Sequence, residues 1–142
     1  MALQSDFPEV HFNFGVILRN LGRLDEAKVR YQIAIASKPD YAQAYYNLGI
    51  VLYKMDRLDE AEASFTQAIF FKPNSAETHT SLGANFQKLV RFEGAQASHN
   101  QAMALNPSYG EAHSNLSAML QRLGKLEKAQ ISYVIAIPLK PN

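Results

Sequence analysis

Apolar positions along this chain recur with a helical period, and the whole pattern then repeats. "HFNFGVIL" from residue 11 returns as "YYNLGIVL" from 45, "HTSLGANF" from 79 and "HSNLSAML" from 113, each start 34 residues after the last. A fixed spacing of that size is the mark of a stacked repeat array. Pro39, Pro73, Pro107 and Pro141 keep the same register. So do two alanine series, Ala27, Ala61, Ala95, Ala129 and Ala34, Ala68, Ala102, Ala136. A small residue, Gly15, Gly49, Gly83 or Ser117, follows the first apolar anchor of each unit.

Each unit reads as two amphipathic helices. In the second, Tyr45, Leu48, Gly49 and Leu52 share one helical face, and Leu58, Ala61, Phe65, Ala68 and Ile69 form the next stripe. Asp56 falls between the stripes, where the first and fourth units hold Gly22 and Gly124, residues suited to a helix end. Acidic residues open the second helix of each unit (Asp25 and Glu26, Asp59 and Glu60, Glu93, Glu127), where they complement the helix dipole. The small residues fall where two helices must approach closely. The pattern therefore predicts an all-α chain of eight helices starting near residues 9, 25, 42, 59, 76, 93, 110 and 127. The units are 8–41, 42–75, 76–109 and 110–142. Residues 1–7 read as a tail or the remnant of a preceding unit, because Ser5-Asp6-Phe7 resembles the inter-unit turn Pro39-Asp40-Tyr41. Pro138 falls inside the eighth helix and should end it early.

Composition narrows the chemistry. A hydrophobic share of 47% supplies a core, and a net charge of +1 favours neither nucleic acid nor an acidic tail. No apolar run is long enough to span a membrane, and "MALQSDFPEV" lacks the features of a signal peptide. With no cysteine there is no disulfide, thiol catalysis or thiolate metal site. A cytoplasmic setting is the expectation. No phosphate loop, metalloprotease motif or nucleophile elbow appears, so neither catalysis nor a cofactor is expected. His11, His79 and His113 share one repeat position. Helices packed about 8–10 Å apart hold such residues too far from one another to share a zinc ion. They read as core or boundary histidines, and no metal site is expected. The sequon Asn115-Leu116-Ser117 sits mid-helix and reads as coincidence.

The series of a large residue, Leu-Gly, an aromatic, Ala, a second aromatic, Ala and Pro resembles the tetratricopeptide repeat. Tyr45, Leu48, Gly49, Ala61, Phe65, Ala68 and Pro73 carry it in the second unit. Departures are His99 for the second aromatic, Ser117 for glycine, and leucine for the first aromatic at Leu18, Leu52 and Leu120. The resemblance implies a right-handed superhelical solenoid of helix–turn–helix hairpins that binds a protein or peptide on its concave surface. The run "HSNLS" at 113–117 is also similar to the repeats of O-linked N-acetylglucosamine transferases.

With each unit numbered from Pro8, Ala42, Ala76 and Gly110, unit positions 2, 5, 6, 9, 12 and 13 share one side of the first helix. The resemblance implies that this side lines the concave surface. Position 6 gives a ladder of Asn13, Asn47, Ser81 and Asn115, and position 13 gives Lys54, Lys88 and Arg122. Tyr46, Arg19 and Tyr53 add to the same side. An amide can pair with both polar groups of one peptide unit, so the ladder suits an extended peptide, and the cations suit an acidic one. Arrays that clamp a terminal carboxylate resemble one another in a Lys/Asn set of which only Asn47 is present here, so that mode is not expected. A non-catalytic scaffold binding a partner segment is the first functional reading. The alternatives are a substrate-recognition fragment of a larger enzyme such as a glycosyltransferase, and a self-assembling unit. Neither nucleic acid nor membrane is an expected partner. Finally, "ISYVIAIPL" is apolar nearly all round. Homo-oligomer formation is expected through Ile131, Tyr133, Val134 and Ile135 of this last helix.

Overall fold

The computed structural model describes residues 7–108 and 110–134, with side chains to residue 124 except Glu111. Seven α-helices and no strands occur among the described residues: α1 (Pro8–Asn20), α2 (Leu24–Ser37), α3 (Ala42–Lys54), α4 (Leu58–Phe71), α5 (Ala76–Lys88), α6 (Phe92–Leu105) and α7 (Gly110–Val134). The first six form three hairpins, and each hairpin stacks on the next through α2–α3, α4–α5 and α6–α7. The first helices of adjacent units also touch, α1 with α3, α3 with α5 and α5 with α7. This is a solenoid of helical hairpins.

Close approach within a hairpin rests on the small residues. A Cβ placed on Gly49 would meet Phe65 Cε1 at 2.6 Å, and one on Gly15 would meet Tyr31 Cε1 at 2.6 Å. The same contact in the third hairpin sets Gly83 against the His99 ring. Ala27, Ala61 and Ala95 are fully buried at the second small position. Tyr31 and Phe65, also fully buried, hold the centre of a core with Leu48, Val51 and Leu52.

Each hairpin turns through one left-handed residue: Gly22 at φ 78°, Asp56 at 62° and Val90 at 59°. The last is a β-branched side chain in a conformation that strains it. The arginine that follows clasps the turn. Arg23 forks onto Glu26 at 2.6 and 2.7 Å, Arg57 forks onto Glu60 at 2.7 and 2.9 Å, and Arg91 reaches back to Glu62 of α4 at 2.8 Å.

The fourth unit departs from the expected hairpin. α7 runs unbroken from Gly110 to Val134, so the expected turn at Gly124 and a separate helix from residue 127 are absent. The sequence supplies reasons. Lys125 and Lys128 stand where the first two units place the arginine–glutamate fork, and like charges three apart oppose rather than clasp. Ser117 replaces the glycine on which a returning helix would rest, and it is exposed.

Candidate functional site

The first helices of successive units touch along one side of the array, α1 on α3, α3 on α5 and α5 on α7. An open cavity of about 330 Å³ lies there, lined by Tyr53, Ala84, Gln87, Lys88, Asn115 and Arg122. All six occupy unit positions 6, 9, 12 or 13, which share one side of the first helix by their helical angle and which the resemblance assigns to the groove. Three successive units contribute, from α3, α5 and α7. Lys88 Nζ sits 4.3 Å above the Tyr53 ring, which fixes the ammonium at the wall through cation–π attraction. Lys88 and Arg122 are exposed, and Asn115 is half-buried. The cavity therefore presents two cations, two amides and an aromatic face.

Other members of the predicted set divide. Tyr46 and Ser81 come together, with Tyr46 Oη 3.4 Å from Ser81 Oγ. Tyr46 also borders a smaller cavity of about 120 Å³ with Gln43, Lys72, Ser75 and Glu77. Asn13 and Lys54 are exposed on α1 and α3, and Arg19 is half-buried, all outside the larger cavity.

Asn47 behaves differently from its ladder mates. It is 7% exposed, and its Nδ2 donates to Tyr31 Oη at 3.4 Å. Tyr31 belongs to the preceding hairpin, so this amide ties two units together. Burial pushes the Tyr31 phenol above its usual range, against the opposing pull of Arg19 and of the Asn47 bond. Asn47→Ala should lower stability by about 1 kcal/mol by orphaning the buried hydroxyl, whereas Asn13→Ala should change nothing measurable. Urea midpoints of the two variants check this.

Gln87 was not among the predicted residues. It lines the cavity, and its Oε1 lies 2.9 Å from His99 Nε2. His99 is fully buried where the other hairpins hold Tyr31 and Phe65, so Gln87 links the groove to the core of the third hairpin. The remaining histidines are structural. His79 Nε2 and His113 Nε2 pair with the Pro73 and Pro107 carbonyls at 3.1 and 2.8 Å, and His11 Nδ1 lies 3.2 Å from Arg30. Among the described residues no cluster of three His, Cys, Asp or Glu is placed to hold a metal ion. Nor is any helix there long and apolar enough to cross a membrane.

The expected self-association surface, Ile131, Tyr133, Val134 and Ile135, lies outside the described side chains.

The family model described as TPR repeat matches residues 15–56, and the one described as Tetratricopeptide repeat matches 42–75. Solved structures share the fold. The first TPR of Spaghetti (RPAP3), bound to the HSP90 peptide SRMEEVD, is 20% identical. It aligns over 86% of this chain and 97% of its own with a TM-score of 0.81. The Arabidopsis OM64 TPR domain is 21% identical over 81% of this chain and 95% of its own, with a TM-score of 0.79. No curated protein is significantly similar in sequence. Repeat register, hairpin geometry and the family models over residues 15–75 converge on a tetratricopeptide-repeat array.

Proposed function

We propose that the chain is a non-catalytic interaction module whose concave groove binds an acidic, extended peptide segment of a partner protein. The observation that carries this reading is the cavity in which Lys88, Arg122, Asn115 and Tyr53 converge from three units. Lys88 and Arg122 meet peptide carboxylates, and half-buried Asn115 pairs with the peptide backbone. The Tyr53 ring, already under Lys88, gives the peptide an apolar floor. The similarly folded array of Spaghetti is seen with an acidic peptide, SRMEEVD, which supports the class of ligand. A terminal-carboxylate clamp is no part of this reading, because the positions such a clamp uses hold Phe12, Val16, Glu77 and Ser81 here. Of that set only Asn47 is present, and its Nδ2 is committed to Tyr31. The ligand is therefore read along its length rather than at its terminal carboxylate.

A display library of random peptides tests this. The chain should enrich sequences with two or more acidic residues. Lys88→Glu combined with Arg122→Glu should weaken the selected peptides at least about tenfold with little change in thermal stability, since both side chains are exposed. Enrichment of neutral or basic peptides, or acidic binders indifferent to the double variant, would overturn the reading.

A further inference from the structure

The first hairpin carries an apolar face that has no part in the groove. Val10, Phe14, Ile17 and Leu21 of α1 are 52%, 41%, 57% and 64% exposed. In the second unit the same positions are Ala44, Leu48, Val51 and Met55. The first three of these are at most 7% exposed, because α2 packs across α3. The array itself thus shows what this face accepts, namely a helix. Its 4-3-4 spacing is the seam of a helix pair.

The face continues onto α2 through exposed Val29 and half-buried Ile33. Together with Phe14 and Leu18 these side chains border a cavity of about 380 Å³ whose polar edge is Asp25, Glu26 and Arg30. Arg30 is the departure within the repeat, since its counterparts Ser64 and Ser98 are 7% and 8% exposed. Here a guanidinium lies 4.3 Å over the Phe14 ring, in the face that the later units cover with a helix.

We infer that this face binds a second copy of the chain, α1 packing antiparallel on α1 about a twofold axis. The seam is self-complementary in that register: Phe14 meets Ile17 of the second copy, and Val10 meets its Leu21. The charges follow. Arg30 lies at the level of His11 and Phe14. The start of α2, with Asp25, lies at the Leu18 end, where the Arg23 amide donates to the Leu18 carbonyl. An antiparallel pairing opposes those two levels, and its twofold axis sets α2 over α2. Arg30 of each copy then faces Asp25 of the other, the isologous arrangement in which one contact is made twice. A mixed-sign edge matched to its own inverse selects a copy of itself over an unrelated helix. The concave grooves stay open on the outside of such a pair.

Sedimentation of the full chain tests the inference. The wild type should be a dimer at about 100 µM and shift toward monomer on dilution. Ile17→Asp and, separately, Leu21→Lys should be folded monomers, judged by helical circular dichroism. Arg30→Asp should raise the dimer dissociation constant at least about tenfold, and adding Asp25→Arg should restore it. A wild-type monomer at that concentration would overturn the inference and leave the face to a different helix. A dimer indifferent to Ile17→Asp and Leu21→Lys would overturn it too. Failure of Asp25→Arg to rescue Arg30→Asp would refute the antiparallel register.

Discussion

Phe65→Ala should lower the unfolding free energy of the chain by about 3–5 kcal/mol, the range for emptying a buried phenylalanine site. The ring is fully buried and rests on Gly49, with the Tyr46 ring 6.0 Å away. It joins α4 to α3 inside one hairpin, and the cluster around it reaches Tyr31 and Leu24 before it and Leu82 and Phe86 after it. A solenoid has only neighbour contacts, so a cavity in the second hairpin weakens both interfaces that flank it. Marginal stability of about 5–15 kcal/mol makes such a loss a large fraction of the total. Guanidinium unfolding followed by circular dichroism measures it. A midpoint within error of the wild type would mean that α3 and α4 are not packed as described.

Gly49→Val acts on the same contact from the other side and should cost about 3 kcal/mol, the upper end for overpacking. The backbone of α3 is not the obstacle, since valine is tolerated in helices at a cost of a few tenths of a kcal/mol. The obstacle is Phe65, whose Cε1 and Cδ1 would stand 2.6 and 2.7 Å from the first added carbon. A flat ring buried on all sides has nowhere to retreat. Gly110→Ala is the control. It starts α7 with nothing within 4 Å of a new Cβ, so it should be neutral or slightly stabilising. Equal losses at the two glycines, read from thermal unfolding, would contradict the close approach of α3 and α4.

Most of the fold was legible because a repeat reports the same physics several times over. The helices begin at residues 8, 24, 42, 58, 76, 92 and 110, each within one residue of its expected start. The small residues at 15, 49 and 83 sit under an aromatic or imidazole ring as their spacing implied. The fourth unit misled because apolar periodicity alone does not make a turn. Gly124 marked the position, but the arginine–glutamate fork and the glycine beneath the returning helix were both missing from the sequence there. Those absences were visible as Lys125, Lys128 and Ser117 and were the signal to read.

Groove residues were harder to rank than to locate. The helical angle assigned positions 6, 9, 12 and 13 to one side, and the cavity between α3, α5 and α7 is lined from those positions only. Angle alone did not tell a buried amide from an open one. Asn47 is covered because Tyr31 reaches across from the preceding hairpin, a contact sixteen residues apart in the chain. Asn13 has no described hairpin before it and stays exposed. Gln87 was passed over although it shares position 12 with Arg19 and Tyr53. Its importance comes from His99, a buried polar ring whose partner no local pattern names.

Amide chemical-shift mapping with an acidic peptide from the selected pool tests the central claim most directly. The proposed groove predicts shifts clustered at Tyr53, Ala84, Gln87, Lys88, Asn115 and Arg122, on α3, α5 and α7. The outward residues of α2, α4 and α6 should remain unmoved. Shifts confined to those outward residues, or to the α1 face around Phe14 and Ile17, would contradict the groove as the binding site.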